Sequence, residues 1–141
     1  MTIFLDANIL VSVLNKEYPI FTYTSRIVSL ADDKKFVVFT SPICLAIAFY
    51  FAEKKSGTTL AKKKIQLLTE KLSITAVGKP EVFAALQNKK VNDFEDGLEY
   101  YAAESYNCDA IITEDINDFY FSKIPVYTSS IFFEKVLLGN K

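Results

Sequence analysis

Residues 91–119 read VNDFEDGLEYYAAESYNCDAIITEDINDF. Asn92 as an N-cap, with Glu95 three residues later, predicts a helix over Asp93–Tyr106. The short apolar run Ala110–Thr113 then predicts a buried central strand. More acidic residues follow that strand directly. The stretch therefore predicts a helix and a strand that both carry carboxylates at one end.

The same alternation of short apolar runs and longer helical patterns extends along the chain. Predicted strands are Thr2–Leu5, Phe36–Thr40, Leu72–Ala76, Ala110–Thr113 and Pro125–Tyr127. Predicted helices are Asn8–Asn15, Phe21–Ala31, Ile43–Lys55, Thr58–Lys71, Glu81–Leu86, Asp93–Tyr106 and Ser130–Leu137. Such alternation favours an α/β fold in which helices cover both faces of a parallel sheet.

The composition narrows the class of protein. A length of 141 residues with 50% hydrophobic residues predicts a single domain over residues 1–141. We expect a cytoplasmic protein, because no signal peptide or membrane-spanning run is evident and there are two cysteines without a disulfide framework. The absence of histidine excludes mechanisms that need an imidazole base or ligand.

The net charge of −1 conceals two oppositely charged regions. Residues 53–90 contain nine lysines and three glutamates, whereas residues 91–118 contain nine acids and no lysine or arginine. Because carboxylates in close proximity repel one another, an acidic region without basic partners indicates protonation or cation binding.

Acidic residues follow two predicted strands and begin one predicted helix: Asp6, Asp93, Asp96, Asp115 and Asp118. Each alone has a structural explanation, such as a helix cap, a first-turn acid or a polar turn. Together, however, they predict one site, because ligands bind beyond the carboxyl ends of parallel strands. Oxygen ligands without histidine or cysteine favour Mg²⁺ or Mn²⁺. The spacing after Asp115 lacks the Gly and Glu of a helix–loop–helix calcium site.

Three segments give this pattern a family resemblance: FLDANIL (residues 4–10), the stretch 91–119, and IPVYTSSIFF (residues 124–133). Their order and spacing resemble the PIN domain, the ribonuclease fold of VapC-type toxins. The resemblance implies a three-layer α/β/α sandwich with a central, mostly parallel sheet. It also implies metal-dependent hydrolysis of RNA. A small antitoxin protein and a second copy of the chain, forming a homodimer, are the other expected partners, with no membrane.

The resemblance assigns roles to individual residues. Asp6, Asp96, Asp115 and Asp118 match the catalytic, metal-binding acids, while Asn8, Asp93 and Thr113 match accessory positions. Many PIN nucleases also carry a Glu near the positions of Ile47 and Ala48, and the nearest acid here is Glu53. We therefore expect the nuclease activity to be weak.

The basic region and the missing Glu leave alternatives open. Lys54, Lys55, Lys62, Lys63 and Lys64 either attract RNA phosphates to the acidic site or form an ordinary solvated face. The chain as a whole is either a ribonuclease or a degenerate PIN-fold module that binds RNA or protein without cleavage. A phosphoryl-transfer protein of receiver type is disfavoured, because Asp6 stands alone after the first strand.

Overall fold

The structure, a computed structural model, describes residues 1–139. Its sheet has five strands, all paired in parallel, in the order β3-β2-β1-β4-β5. The strands are β1 (Thr2–Leu5), β2 (Val37–Thr40), β3 (Ser73–Ile74), β4 (Ala110–Ile112) and β5 (Val126–Tyr127). The predicted parallel sheet is therefore confirmed, with strands that are shorter than predicted at one or both ends except for β1.

Seven helices connect and cover the strands: α1 (Ala7–Leu14), α2 (Phe21–Val28), α3 (Pro42–Ser56), α4 (Thr58–Lys71), α5 (Lys79–Gln87), α6 (Phe94–Ser105) and α7 (Ser129–Ile131). Short 3₁₀ turns over Ser29–Asp32 and Ile116–Phe119 follow α2 and β4. A π-helical segment, Phe132–Leu138, continues α7. The predicted last helix is therefore present, but most of it has wider turns than an α-helix.

The strand order places the two most deeply buried strands side by side. Ile3, Phe4 and Leu5 of β1 are completely buried, and so are all three residues of β4. The chain moves from β1 outward through β2 to β3, and then returns to the other side of β1 for β4. The gap between β1 and β4 is thus the topological switch point, where open α/β sheets bind their ligands.

Side-chain caps start the helices that border this gap. The Asp6 carboxylate accepts a hydrogen bond from Ala7 N (2.7 Å), so Asp6 is the N-cap of α1. The prediction that Asn92 caps α6 is wrong. Asp93 is the N-cap, and its carboxylate accepts from Asp96 N at 3.1 Å. Because the cap lies one residue later than predicted, Asp96 occupies the third helical position.

The start of α6 packs closely against α5. A Cβ atom at Gly97 would lie 3.0 Å from Ala85 Cβ and 2.7 Å from a methyl carbon of Val91. A larger residue would therefore push α6 away from α5 and displace the acids on either side of Gly97. Within residues 1–139, no helix has the length and apolar character needed to cross a membrane.

Candidate metal centre

A cleft opens at the carboxyl ends of β1 and β4, and most of its polar lining is acidic. Its lining residues are Asp6, Ala7, Asn8, Val11, Glu17, Ile47, Phe51, Glu95, Asp96, Glu99, Asp115 and Asp118. All four predicted catalytic acids are among them. The convergence expected from parallel strand ends is therefore present in the structure.

A hydrogen-bond network ties the ends of β1 and β4 together at Asp6. Thr113 Oγ1 donates to Asp6 Oδ2 at 2.7 Å and accepts from Asp115 N at 3.1 Å. The amide of Asn8 lies within 3.1–3.4 Å of oxygens of Asp6, Thr113 and Asp115. Its own oxygen accepts from Glu114 N at 3.1 Å. Asn8 and Thr113 thus hold the carboxylate of Asp6 by hydrogen bonds, and Asn8 also reaches that of Asp115.

Asp96 projects from the first turn of α6 into the cleft. Burial and the negative charges of Asp93, Asp118 and Asp6 raise its pKa to about 7. Asp93 itself does not line the cleft; it caps α6 and contributes its charge. An acid with a pKa this far above its usual range marks a place where like charges meet without a counter-ion.

The two acids after β4 are more exposed than Asp6. Partial burial, together with the charges of Asp115 and Asp6, raises the pKa of Asp118. Asp118 lies in the 3₁₀ turn Ile116–Phe119, and Phe119 beneath it is buried. The neighbouring Glu114 differs from these acids, since its carboxylate accepts from Ser129 N (3.0 Å) at the start of α7.

Glu99 is a further cleft acid, which sequence patterns did not indicate; it lies one turn after Asp96 and is only 1% exposed. Burial, followed by the negative charge of Asp6, raises the pKa of Glu99 to about 11. Cys44, at the start of α3, lies beside it, and burial raises the pKa of its thiol strongly. The three-residue spacing from Asp96 was the available signal, because it places both acids on one helix face.

The α3 wall of the cleft is apolar. Ile47 and Phe51 line it, and Glu53 instead accepts a hydrogen bond from Thr58 Oγ1 at 2.9 Å. Within residues 1–139, α3 therefore contributes no carboxylate to the lining of the cleft. Beyond Phe51, the ammonium group of Lys54 lies 5.1 Å above the ring of Tyr50.

Two of the five lysines expected at the RNA-binding face contact the protein itself. Lys55 Nζ donates to Asn15 O, and Lys64 Nζ donates to Leu14 O at 3.1 Å. Both bonds satisfy carbonyl groups at the carboxyl end of α1, where helix geometry leaves them without partners. Lys54, Lys62 and Lys63 are exposed.

Residues 1–139 contain one ion pair, which joins Lys71 and Asp32 away from the cleft. Every cleft acid therefore lacks a basic partner among these residues. The Oε2 atom of Glu99 is buried and makes no hydrogen bond there. One ligand atom from each of Asp6, Cys44 and Glu99 also lies within 4.8 Å of the other two. This oxygen-rich, uncompensated donor set fits a divalent cation.

Comparisons of the sequence with known proteins match most of the chain. A family model described as PIN domain matches residues 2–117. Ribonuclease VapC1 of Aquifex aeolicus (strain VF5) is 28% identical over 140 residues, which cover 94% of each chain.

Solved structures share the fold. VapBC2 from Rickettsia felis, bound to a DNA fragment from its promoter, superimposes with a TM-score of 0.70 at 20% identity, over 91% of this chain and 98% of that one. VapBC-1 from nontypeable Haemophilus influenzae superimposes with a TM-score of 0.70 at 17% identity, over 92% of this chain and 99% of that one. VapC20 of Mycobacterium tuberculosis, a sarcin-ricin loop cleaving toxin, superimposes with a TM-score of 0.61 at 16% identity, over 77% of this chain and 86% of that one. With the family match spanning most of the sequence, the chain belongs to the PIN domain family.

Proposed function

We propose that this protein is a metal-dependent endoribonuclease that hydrolyses phosphodiester bonds in RNA, and that it is the toxin of a toxin–antitoxin pair. One observation carries the proposal: Asp6, Asp96, Asp115 and Asp118 line a single cleft at the β1/β4 switch point. Family membership and the ribonuclease named among the relatives support the same activity.

Asp6, Asp96, Asp115 and Asp118 are the residues we propose to hold Mg²⁺ or Mn²⁺. When bound, such a cation lowers the pKa of a water molecule and neutralises charge on the phosphate. Thr113 and Asn8 hold the Asp6 carboxylate in a fixed orientation. This prior orientation matters because phosphodiester hydrolysis depends on positioning and charge stabilisation rather than on covalent protein chemistry.

RNA must approach a cleft whose own charge is negative, so we propose that neighbouring lysines attract its phosphates. Lys54, Lys62 and Lys63 are exposed on α3 and α4. Lys55 and Lys64 lie on the same helices, and their bonds to α1 carbonyls favour a structural role, with a smaller part in RNA contact. The exposed aromatic pair Tyr50 and Phe51, beside the cleft, offers surfaces on which bases can stack.

The proposed protein partner is a small antitoxin that covers the active-site face. The VapBC structures that share this fold motivate that partner. We also expect one domain over residues 1–141 and self-association into a homodimer. Limited proteolysis would test the first expectation, and light scattering with chromatography the second.

The decisive test is cleavage of single-stranded RNA by purified protein, with Mg²⁺ or Mn²⁺ and with a chelator. We expect slow cleavage that requires the metal and is lost in Asp96→Asn. Metal-independent products, or products that persist in Asp96→Asn, would indicate a contaminating nuclease. RNA binding without any cleavage would instead favour a binding module, the function that the apolar α3 wall at Ile47 also fits.

A further inference from the structure

Glu99 is a buried acid that the four-aspartate site leaves unexplained. Its side chain is 1% exposed, and its Oε2 atom has no hydrogen-bond partner within residues 1–139. The charged or ionisable groups that face it are Asp6, Cys44 and Asp96, and none of them is basic. Burying an uncompensated carboxyl group is costly, so an interaction that appears only with a ligand would explain why the site tolerates it.

The position of Glu99 allows it to act together with Asp6. Ligand atoms of Asp6, Cys44 and Glu99 lie within 4.8 Å of one another, which is close enough for one cation to contact more than one of them. Glu99 also lines the same cleft as Asp6 and Asp96. Hard cations such as Mg²⁺ and Mn²⁺ prefer carboxylate oxygens to sulfur, so the two acids, rather than the Cys44 thiol, suit them.

The α3 lining of the cleft explains why an acid is needed on α6. There α3 presents Ile47 and Phe51, which have no ligand atoms. The carboxylates therefore come only from the end of β1, from α6 and from the segment after β4, with Glu17 at the edge. Glu99 adds a buried carboxylate close to Asp6 at the end of β1. Asp115 and Asp118, in contrast, are exposed.

We propose that Glu99 is a metal ligand, which supplies from α6 the carboxylate that α3 lacks at Ile47. The inference rests on the proposed metal-dependent function. It assigns the deep end of the cation site to Asp6 and Glu99, whose ligand atoms lie within 4.8 Å of each other. A cation there would supply the positive charge that these buried acids lack in residues 1–139.

The test measures Mn²⁺ affinity of the full chain, by calorimetry or by electron paramagnetic resonance of free Mn²⁺, at one pH. Glu99→Gln keeps the shape of the side chain but weakens ligation, and we expect at least a tenfold loss of affinity. Its melting temperature without metal should stay equal or rise. The matched control is Glu104→Gln, the same substitution at an exposed position of the same helix, which should behave as wild type.

Two variants at Ile47 make the test independent of how well Glu99→Gln folds. In the Glu99→Gln background, Ile47→Glu should restore part of the affinity, because it places a carboxylate in the lining of the same cleft. In the wild-type background, Ile47→Glu should raise affinity by less than about threefold, since Glu99 already supplies the ligand. A purely structural Glu99 predicts neither the rescue nor the small gain.

The outcomes separate this inference from the proposed function. Wild-type affinity in Glu99→Gln, or a gain above tenfold from Ile47→Glu alone, would overturn the role of Glu99 and leave the metal-dependent ribonuclease intact. A wild-type chain that binds no Mn²⁺ would overturn both. Reduced affinity in Glu99→Gln with recovery by Ile47→Glu supports the inference.

Discussion

The acidic cleft and the lysine-rich face formed by α3 and α4 differ in how their charged groups are surrounded. In the cleft, Asp96 and Glu99 lie close to other acids, and burial raises the pKa values of both. On the lysine-rich face, the ammonium groups either remain exposed or, as in Lys55 and Lys64, satisfy carbonyls of α1. The first arrangement opposes folding and the second supports it. A charge distribution that opposes folding is typical of a functional site.

The strongest test of this contrast removes one carboxylate from the cleft. Asp96→Asn should reduce metal-dependent RNA cleavage by about 100-fold or more, a loss of ~2.7 kcal/mol of transition-state stabilisation. RNA affinity should be unchanged, because the proposed phosphate contacts come from the exposed lysines of α3 and α4 and not from Asp96. Single-turnover cleavage and filter binding on the same preparations measure the two effects. Equal loss of binding and cleavage would show that Asp96 acts in RNA binding or folding.

A second test adds the missing positive charge. Mg²⁺ or Mn²⁺ at about 100 times its dissociation constant should stabilise the folded chain by about 2.7 kcal/mol. That gain corresponds to a rise of roughly 5–11 °C in Tm for a chain of this length. Asp6→Asn should reduce the response while keeping the N-cap of α1, since asparagine is also a good cap. A melting curve that does not move across the metal titration would argue against a cation site.

A third test varies the pH of the metal-free protein. Folded-state pKa values of about 7 for Asp96 and about 11 for Glu99 exceed the ordinary values of 3.8 and 4.5. At a pH between the ordinary and the folded-state pKa of either group, the folded state binds more protons than the unfolded state. The free energy of unfolding must therefore fall as pH rises. We expect a loss of about 1 kcal/mol for each pH unit between pH 5.5 and 8.5, measured by urea unfolding with EDTA present.

The control for the pH experiment is Glu99→Gln, which should flatten the dependence because it removes the group with the larger pKa shift. Stability that increases over this pH range would mean that the cleft acids are ionised and compensated in the folded state.

The smallest expected effect concerns the basic face. Lys62→Glu combined with Lys63→Glu should weaken RNA binding several-fold. The slope of log affinity against log salt should fall by about 0.7 for each RNA phosphate that the variant no longer neutralises. Metal-induced stabilisation should remain. The matched control reverses Lys34 and Lys35, which are exposed before β2 at the opposite end of the sheet. Equal weakening by both pairs would indicate a general charge effect rather than a binding face.

Sequence patterns predicted the elements best where local signals agree. Helix α4 begins and ends where predicted, and β1 does as well. The α6 cap was predicted one residue early, because both Asn92 and Asp93 are good N-caps and the sequence alone does not separate them. Strands β3 and β5 were predicted too long, since pairing at the edge of a sheet depends on a neighbour that the local sequence does not describe.

The four aspartates that line the cleft were predicted because each follows a strand or begins a helix, and parallel strand ends share one edge of the sheet. Glu99 was missed because a carboxylate inside a helix resembles a solvated one until its neighbours are known. The same holds for Lys55 and Lys64, whose partners are carbonyls about 40 to 50 residues away along the chain. These hydrogen bonds arise only when α1 packs beside α3 and α4.

The sequence by itself determined the parallel α/β architecture and the family, and it indicated four candidate site acids, because these follow from periodicity, caps and motif spacing. Tertiary structure decided which acids are buried, which share a cleft and which lysines are already engaged. The physical reason is that solvation and Coulomb energy depend on distance and burial, and for Asp6, Asp96 and Glu99 both are set by the packing of β1 against β4 and α6.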